Sequence, residues 1–151
     1  MSINPFDPRT ALLAKHAQHV VLIHFPIALF LAGVLFDSLG RWAGNPALTT
    51  TAYFNFLFAA ISALPVVATG LLAWQWALEG QKLKGILLLH LIFGSLSTVL
   101  IWTVWLLHRR ARRRDQSERP AYLLGLESVG VAIVAITGHL GGFLSGVNGP
   151  H

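Results

Sequence analysis

The sequence predicts an all-α membrane protein, an up-down bundle of four transmembrane helices that forms a single domain over residues 1–151. Two features of composition point to lipid as the solvent: 54% of the residues are hydrophobic and 11% are charged, whereas soluble domains carry about 25% charged residues. The third observation is the presence of four apolar stretches, each as long as the roughly 20 residues that cross a bilayer core. This composition excludes an ordinary soluble enzyme and a disordered chain.

The four predicted spans are separated by short polar or glycine-containing connections. The first span begins too far into the chain, and has the wrong flanking residues, for a cleaved signal peptide. The third span runs directly into an arginine-rich loop, and the fourth consists mostly of small residues. The predicted spans are His19–Leu39, Tyr53–Ala77, Gly85–Leu107 and Tyr122–Val147.

The distribution of basic residues predicts the orientation, because cytoplasmic loops of membrane proteins are enriched in Lys and Arg. With the arginine-rich loop in the cytoplasm, both termini lie on the periplasmic side of a bacterial inner membrane. The inner side then holds Arg41, Arg109, Arg110, Arg112, Arg113, Arg114 and Arg119. The outer side holds Arg9, Lys15, Lys82 and Lys84. The net charge of +5 therefore reflects topology and lipid contact, and we expect no nucleic-acid partner.

Three histidines are predicted to share one layer in the outer third of the bilayer. His24, His90 and His139 lie about five to eight residues inside the outer ends of the first, third and fourth spans, at about 1.5 Å of rise per residue. The second span contributes Thr69 and Gly70 at the same depth. In the fourth span, we expect a small-residue face to carry His139 towards the bundle interior. That face comprises Ser128, Ala132, Ala135, His139, Gly142 and Gly146.

Imidazoles from facing helices are typical axial ligands of haem iron in helical bundles. The sequence contains no cysteine, which excludes disulfides, iron–sulfur clusters and covalently attached c-type haem. We therefore expect a b-type haem with His24 and His90 as ligands of the iron. His139 would lie close by as a possible further ligand. Thr69 and Gly70 would complete the cofactor pocket.

Two other interpretations stay open. One is a zinc or copper site of three histidines, for binding or transport, supplied from the periplasm through His16 and His19. The other is a structural membrane subunit without a cofactor, whose histidines bridge helices. His108 is expected to extend towards the arginine loop. Asp37 and Glu127 are expected to pair with nearby arginines such as Arg41 or Arg119, the alternative being a proton or quinone role at the inner face.

The run HVVLIHFPIALFLAGVLFD, the Thr69–Gly70 pair, His90 and the closing GHLGGFL resemble a bacterial membrane-protein family known as domain of unknown function 2231, over about residues 16 to 149. The resemblance implies a four-helix inner-membrane protein. Some relatives are joined to cytochrome-like domains, which implies a link to haem or electron transfer. Relatives often carry a histidine in the closing loop, where this chain has Asn148.

Taken together, these features predict an electron-transfer protein or a subunit of a respiratory complex, more an electron carrier than a stand-alone enzyme. Expected partners are the lipid bilayer, redox proteins such as a cytochrome c, and a second copy of the chain.

Overall fold

The computed structural model describes residues 17–114 and 120–145, and the elements formed there are helical. A short helix α1 (Ala17–Leu22) precedes α2 (His24–Ala43), and α3 (Pro46–Leu72) continues into a π-helical turn at Ala73–Ala77. Two further long helices follow, α4 (Gly85–Arg113) and α5 (Ala121–Leu144).

Within the described residues, four helical segments are long and apolar enough to cross a membrane. They are Gln18–Ala43, Pro46–Trp76, Gly85–Arg113 and Ala121–Leu144. The four predicted spans are therefore confirmed as helices, with different ends. Their large apolar side chains are extensively exposed on the outside of the helices, which fits contact with lipid.

Local sequence explains where the first two spans begin and end. The first span ends at Gly44, whose positive φ of 60° is the left-handed conformation that glycine adopts most easily. The second span begins with Pro46 at its first helical position, and the Asn45 side chain accepts a hydrogen bond of 2.9 Å from the Ala47 amide. The helix of the second span, α3, therefore starts well before the predicted Tyr53. The cap at Asn45 stabilises first turns that are too polar to be recognised as part of an apolar span.

The first span continues from α1 to α2 through Ile23. Ile23 keeps right-handed helical dihedrals (φ −58°, ψ −28°), and its amide bonds to the His19 carbonyl at 3.0 Å. Pro26 lacks an amide hydrogen and so cannot bond to the Leu22 carbonyl one turn earlier.

The spans pack α2 against α3, α4 against α5, α3 against α4 and α2 against α5. Their buried core includes Phe30, Phe56, Val104 and Val134. The rings of Phe30 and Phe56 are 5.6 Å apart. Along the chain, the first buried residue is Pro26 on α2 and Ser97 on α4. The last buried residue is Ala63 on α3 and Val134 on α5, all within the described residues.

Two glycines allow this close packing. A Cβ atom on Gly33 would lie 2.6 Å from the Phe56 ring, and one on Gly130 would lie 2.6 Å from the Phe30 ring. Each distance is far below van der Waals contact, so these helices approach as closely as they do because a side chain is missing at both positions. The core therefore occupies the half of the bundle that contains the end of α2 and the start of α5.

Candidate functional site

The three predicted ligand histidines have different surroundings. His24 and His139 are exposed on the surface of their helices, and the His139 ring makes an edge contact with Phe143 at 5.0 Å between centroids. His90 is half-buried between α4 and α5, where its Nδ1 lies 3.2 Å from the Thr137 carbonyl oxygen. A Cβ on Gly141 would lie 3.2 Å from the His90 ring, so α5 fits closely around it.

Thr69 and Gly70 contact a different histidine from the three predicted ligands. The Nδ1 atom of His19 on α1 lies 3.3 Å from the Thr69 hydroxyl. A Cβ on Gly70 would lie 3.0 Å from Cε1 of the same ring. His19 thus docks α1 on α3, rather than lying at the surface. His16 lies outside the described residues, as does Asn148.

The prediction of which face of the fourth span points to the bundle interior is wrong. Ser128, Ala132 and Ala135 share the exposed side of α5 with His139. The buried side of α5 instead carries Leu123, Glu127, Gly130 and Val134. Burial of the Glu127 carboxylate against α4 fixes this rotation, because a charged group in a membrane helix is stable only towards protein or water.

The most extensively buried polar residues form a cluster in the core half of the bundle. Asp37 on α2 and Glu127 on α5 are 0% exposed, and His108 on α4 is 1% exposed. Nε2 of His108 donates a hydrogen bond of 2.7 Å to Oε1 of Glu127. We call Asp37, Arg41, His108 and Glu127 the inner cluster; three of the four spans contribute to it.

Arg41 connects the inner cluster to the surface. Its Nε donates to Oδ2 of Asp37, one helical turn away on α2. Its Nη1 donates over 3.5 Å to the Pro120 carbonyl at the start of α5. The Arg41 side chain is 18% exposed while that of Asp37 is 0% exposed. The expected pairing of Asp37 with Arg41 is therefore confirmed, and the arginine also joins α2 to α5.

The apolar surroundings of the inner cluster exclude water from its histidine and carboxylates. The His108 ring packs against Phe56 of α3, with 4.7 Å between centroids. Leu123 and Val104, each one turn from a cluster residue, are also buried. In such surroundings an ionised carboxylate is stable only when it is paired and its oxygens are hydrogen-bonded.

Glu127 satisfies this requirement through only one of its oxygens. Oε1 accepts from His108, but Oε2 has no hydrogen-bond partner among the described residues although it is buried. One ligand atom from each of Asp37, His108 and Glu127 lies within 4.8 Å of the others. Among the described residues, the three predicted ligand histidines do not form such a group with His, Asp or Glu neighbours. The inner cluster therefore brings one imidazole nitrogen and two carboxylates close together in the core.

The four side chains of the inner cluster carry charges of both signs. Among the described residues, two carboxylates face one guanidinium, so these four side chains have a net charge of −1 when both carboxyl groups are ionised and His108 is neutral. A proton on the His108–Glu127 pair brings this net charge to zero, whereas a divalent cation in its place brings it to +1 unless the Arg41 guanidinium turns away from the carboxylates. The arrangement is thus suited to holding a cation inside the bundle.

Sequence reasoning missed this site because His108 directly precedes the arginine-rich segment and was expected to extend towards it. That expectation was wrong. Glu127 contacts His108, and Arg119, one of the arginines expected to pair with it, lies outside the described residues. The available signal was periodicity. Asp37, His108 and Glu127 each lie in a row of residues spaced three or four apart, which forms one face of a helix; we call each such row a seam. The seams are Phe30, Gly33, Asp37, Gly40 on α2, Ile101, Val104, His108, Ala111 on α4, and Leu123, Glu127, Gly130, Val134 on α5.

Comparison with known families identifies a match over nearly the whole chain. The sequence profile of a family described as predicted membrane protein (DUF2231) matches residues 15–151. No curated protein matches the chain, and no solved structure matches it.

Proposed function

We propose that this chain, which belongs to the DUF2231 family of predicted membrane proteins, binds a divalent transition-metal ion at the inner cluster. The ligands in this proposal are Asp37, His108 and Glu127. The observation that carries it is the Glu127 carboxylate, which is fully buried, is bonded to His108 through one oxygen, and has a second oxygen without a partner among the described residues.

The donor set favours a transition metal over calcium or magnesium. Calcium takes six to eight oxygen ligands and magnesium keeps several waters, which an apolar core does not supply. Imidazole together with carboxylates suits zinc and iron, and bundle cores are frequent places for such sites. Zinc completes a tetrahedral site with three protein ligands and one further ligand.

Charge accounting supports the same proposal. A divalent ion displaces the proton on the His108–Glu127 pair and neutralises both carboxylates, so the ion and its two carboxylates are neutral together. Arg41 then no longer needs Asp37 as its partner. Because Arg41 already reaches the Pro120 carbonyl and its side chain is partly exposed, its guanidinium can turn towards the membrane surface when Asp37 binds the ion.

Cobalt binding to the purified, detergent-solubilised protein tests this proposal. After removal of metals with a chelator, Co²⁺ titration is expected to give visible d–d absorption that saturates at one ion per chain. The variants Glu127→Gln and His108→Gln should lose this absorption, and Zn²⁺ should displace Co²⁺ from the original protein. His139→Gln is the matched control, because it removes an exposed histidine.

Two results would contradict the proposal. One is the absence of saturable Co²⁺ absorption in protein whose helical circular dichroism is intact. The other is equal loss of binding in His108→Gln and His139→Gln.

A second candidate function is b-type haem binding for electron transfer, and the surroundings of His90 favour it. A ligating histidine almost always donates its other ring N–H to a carbonyl or carboxylate, which fixes the tautomer. With Nδ1–H directed at the Thr137 carbonyl, Nε2 of His90 is the atom available for iron. In this proposal His24 supplies the second ligand, and His139, Thr69 and Gly70 lie around the cofactor. Its partners would be redox proteins such as a cytochrome c.

An absorption spectrum tests the haem proposal separately. Haem-replete protein should show a Soret band with sharp reduced α and β bands, lost in His90→Ala and retained in Glu127→Gln. A spectrum without a Soret band after expression with haem precursor would overturn it.

We also infer an up-down bundle in a bacterial inner membrane, with both chain termini outside. Each span packs against the next along the chain, and α2 packs against α5. The basic end of α4, with Arg110, Arg112 and Arg113 in its last turn, supports a cytoplasmic location for that end. In this orientation the inner cluster lies in the cytoplasmic half of the membrane.

A further inference from the structure

A second potential binding site lies beside the inner cluster, at the junction of α4 and α5. A groove of about 180 Å³ is lined by Leu107, Arg110, Ala111, Arg114 and Tyr122. Its lining combines two apolar side chains with two guanidinium groups and one phenol. The groove is therefore amphipathic, with its polar groups at the end of the membrane-spanning part of α4.

Four of the five arginines at the end of α4 divide into two groups. The guanidinium of Arg109 lies 5.5 Å from the centre of the Trp105 ring, and that of Arg112 lies 4.5 Å from the centre of the Tyr53 ring. Both are therefore held by cation–π contacts. Arg110 and Arg114 instead line the groove. They are four residues apart, so they share one helix face about 6 Å apart along the axis.

We propose that this groove binds the headgroup phosphate of an anionic phospholipid. Arg110 and Arg114 bind the phosphate oxygens through their planar, multidentate guanidinium groups. Tyr122 donates its hydroxyl hydrogen to the same phosphate. The glycerol and upper acyl carbons lie on Leu107. This proposal does not depend on metal binding at the inner cluster.

The position of the groove favours a lipid over free phosphate. Leu107 belongs to the apolar part of α4, and Arg114 follows the last turn of that helix. One end of the groove is therefore apolar and the other is charged, which matches the acyl chains and the phosphate of a lipid. Cytoplasmic leaflets are rich in anionic lipids, which attract basic residues at the membrane surface. Tyrosine is likewise enriched at this depth.

Native mass spectrometry of the full chain in detergent tests the proposal with phosphatidylglycerol as the probe and phosphatidylcholine as the neutral comparison. The double variant Arg110→Gln/Arg114→Gln should bind phosphatidylglycerol about tenfold more weakly or worse, since each arginine near an anionic lipid contributes about 1 kcal/mol. The matched control is Arg109→Gln/Arg112→Gln, which removes the same charge and should lose no more than about threefold.

Inorganic phosphate at millimolar concentration should not compete with the lipid. Tyr122→Phe provides a milder test if the double variant does not fold, and should weaken phosphatidylglycerol binding about threefold, as expected for one lost hydrogen bond. Equal losses in the two double variants would overturn the proposal, because they would show general charge attraction. Competition by inorganic phosphate would overturn the lipid assignment.

Discussion

Replacing Gly130 with alanine tests whether close helix packing positions the inner cluster. Gly130 lies on the buried face of α5, three residues after Glu127. A Cβ atom there would meet Cζ and Cε1 of Phe30 at 2.6 and 2.9 Å. The Phe30 ring cannot move freely, because it is 0% exposed and packs against Phe56. Accommodating the methyl group therefore requires α2 and α5 to separate.

The expected net effect is a destabilisation of about 2 kcal/mol. Overpacking a filled core costs up to about 3 kcal/mol, and the higher helix propensity of alanine offsets about 1 kcal/mol of that. Gly125→Ala on the same helix is the matched control, because a Cβ there meets nothing within 4 Å. That control should be neutral or slightly stabilising.

Thermal unfolding in detergent, followed by circular dichroism, measures both variants. Gly130→Ala should unfold at a clearly lower temperature than the original protein, and Gly125→Ala at the same or a higher temperature. Because separation of α2 and α5 also moves Asp37 away from Glu127, Gly130→Ala should weaken Co²⁺ binding as well. If Gly130→Ala is as stable as Gly125→Ala, the described contact between α2 and α5 is incorrect.

Two further predictions concern the ion pair and the orientation. Asp37→Asn removes the carboxylate that pairs with Arg41 and should lower the unfolding free energy by about 1–2 kcal/mol. This loss is smaller than for a fully buried ion pair because Arg41 is partly exposed. An unchanged unfolding temperature would show that this ion pair contributes nothing to stability. Because the chain has no cysteine, Lys82→Cys and Arg114→Cys each provide a single thiol, and a membrane-impermeant maleimide applied to spheroplasts should label only the former. Labelling only at position 114 would invert the proposed topology.

The number and approximate position of the spans were predictable because they depend on the length and apolarity of local stretches. The helix ends were less predictable. α3 begins before Tyr53 because Asn45 and Pro46 cap a polar first turn. α4 continues past Leu107 to Arg113, since arginine and alanine are strong helix formers even beyond the apolar core.

The rotation of each helix could not be predicted as well, because it depends on contacts between spans. The depth of His139 follows from its position along the fourth span, but its direction does not. Burial of Glu127 turns His139 to the outside of α5. Similarly, His19 and His24 are five residues apart on the first span and so point in different directions, and it is His19 that contacts Thr69.

The inner cluster was only partly predictable. The ion pair between Asp37 and Arg41 is local, one helical turn long, and was expected from spacing alone. The hydrogen bond between His108 on α4 and Glu127 on α5 joins two helices, and it forms only because the buried faces of these helices are turned towards each other. Because His108 is followed by arginines, an exposed position was expected for it. The spacing of Ile101, Val104, His108 and Ala111 already placed it on the buried face of α4.

X-ray absorption spectroscopy of the zinc-loaded protein tests the central proposal most directly, because scattering from imidazole rings counts the histidine ligands. Binding at Asp37, His108 and Glu127 predicts one imidazole per zinc, with nitrogen and oxygen ligands at about 2.0–2.2 Å, and loss of the imidazole signal in His108→Gln. Two or three imidazoles per zinc, unchanged in His108→Gln, would contradict the proposal and assign the metal to the histidines of the outer half.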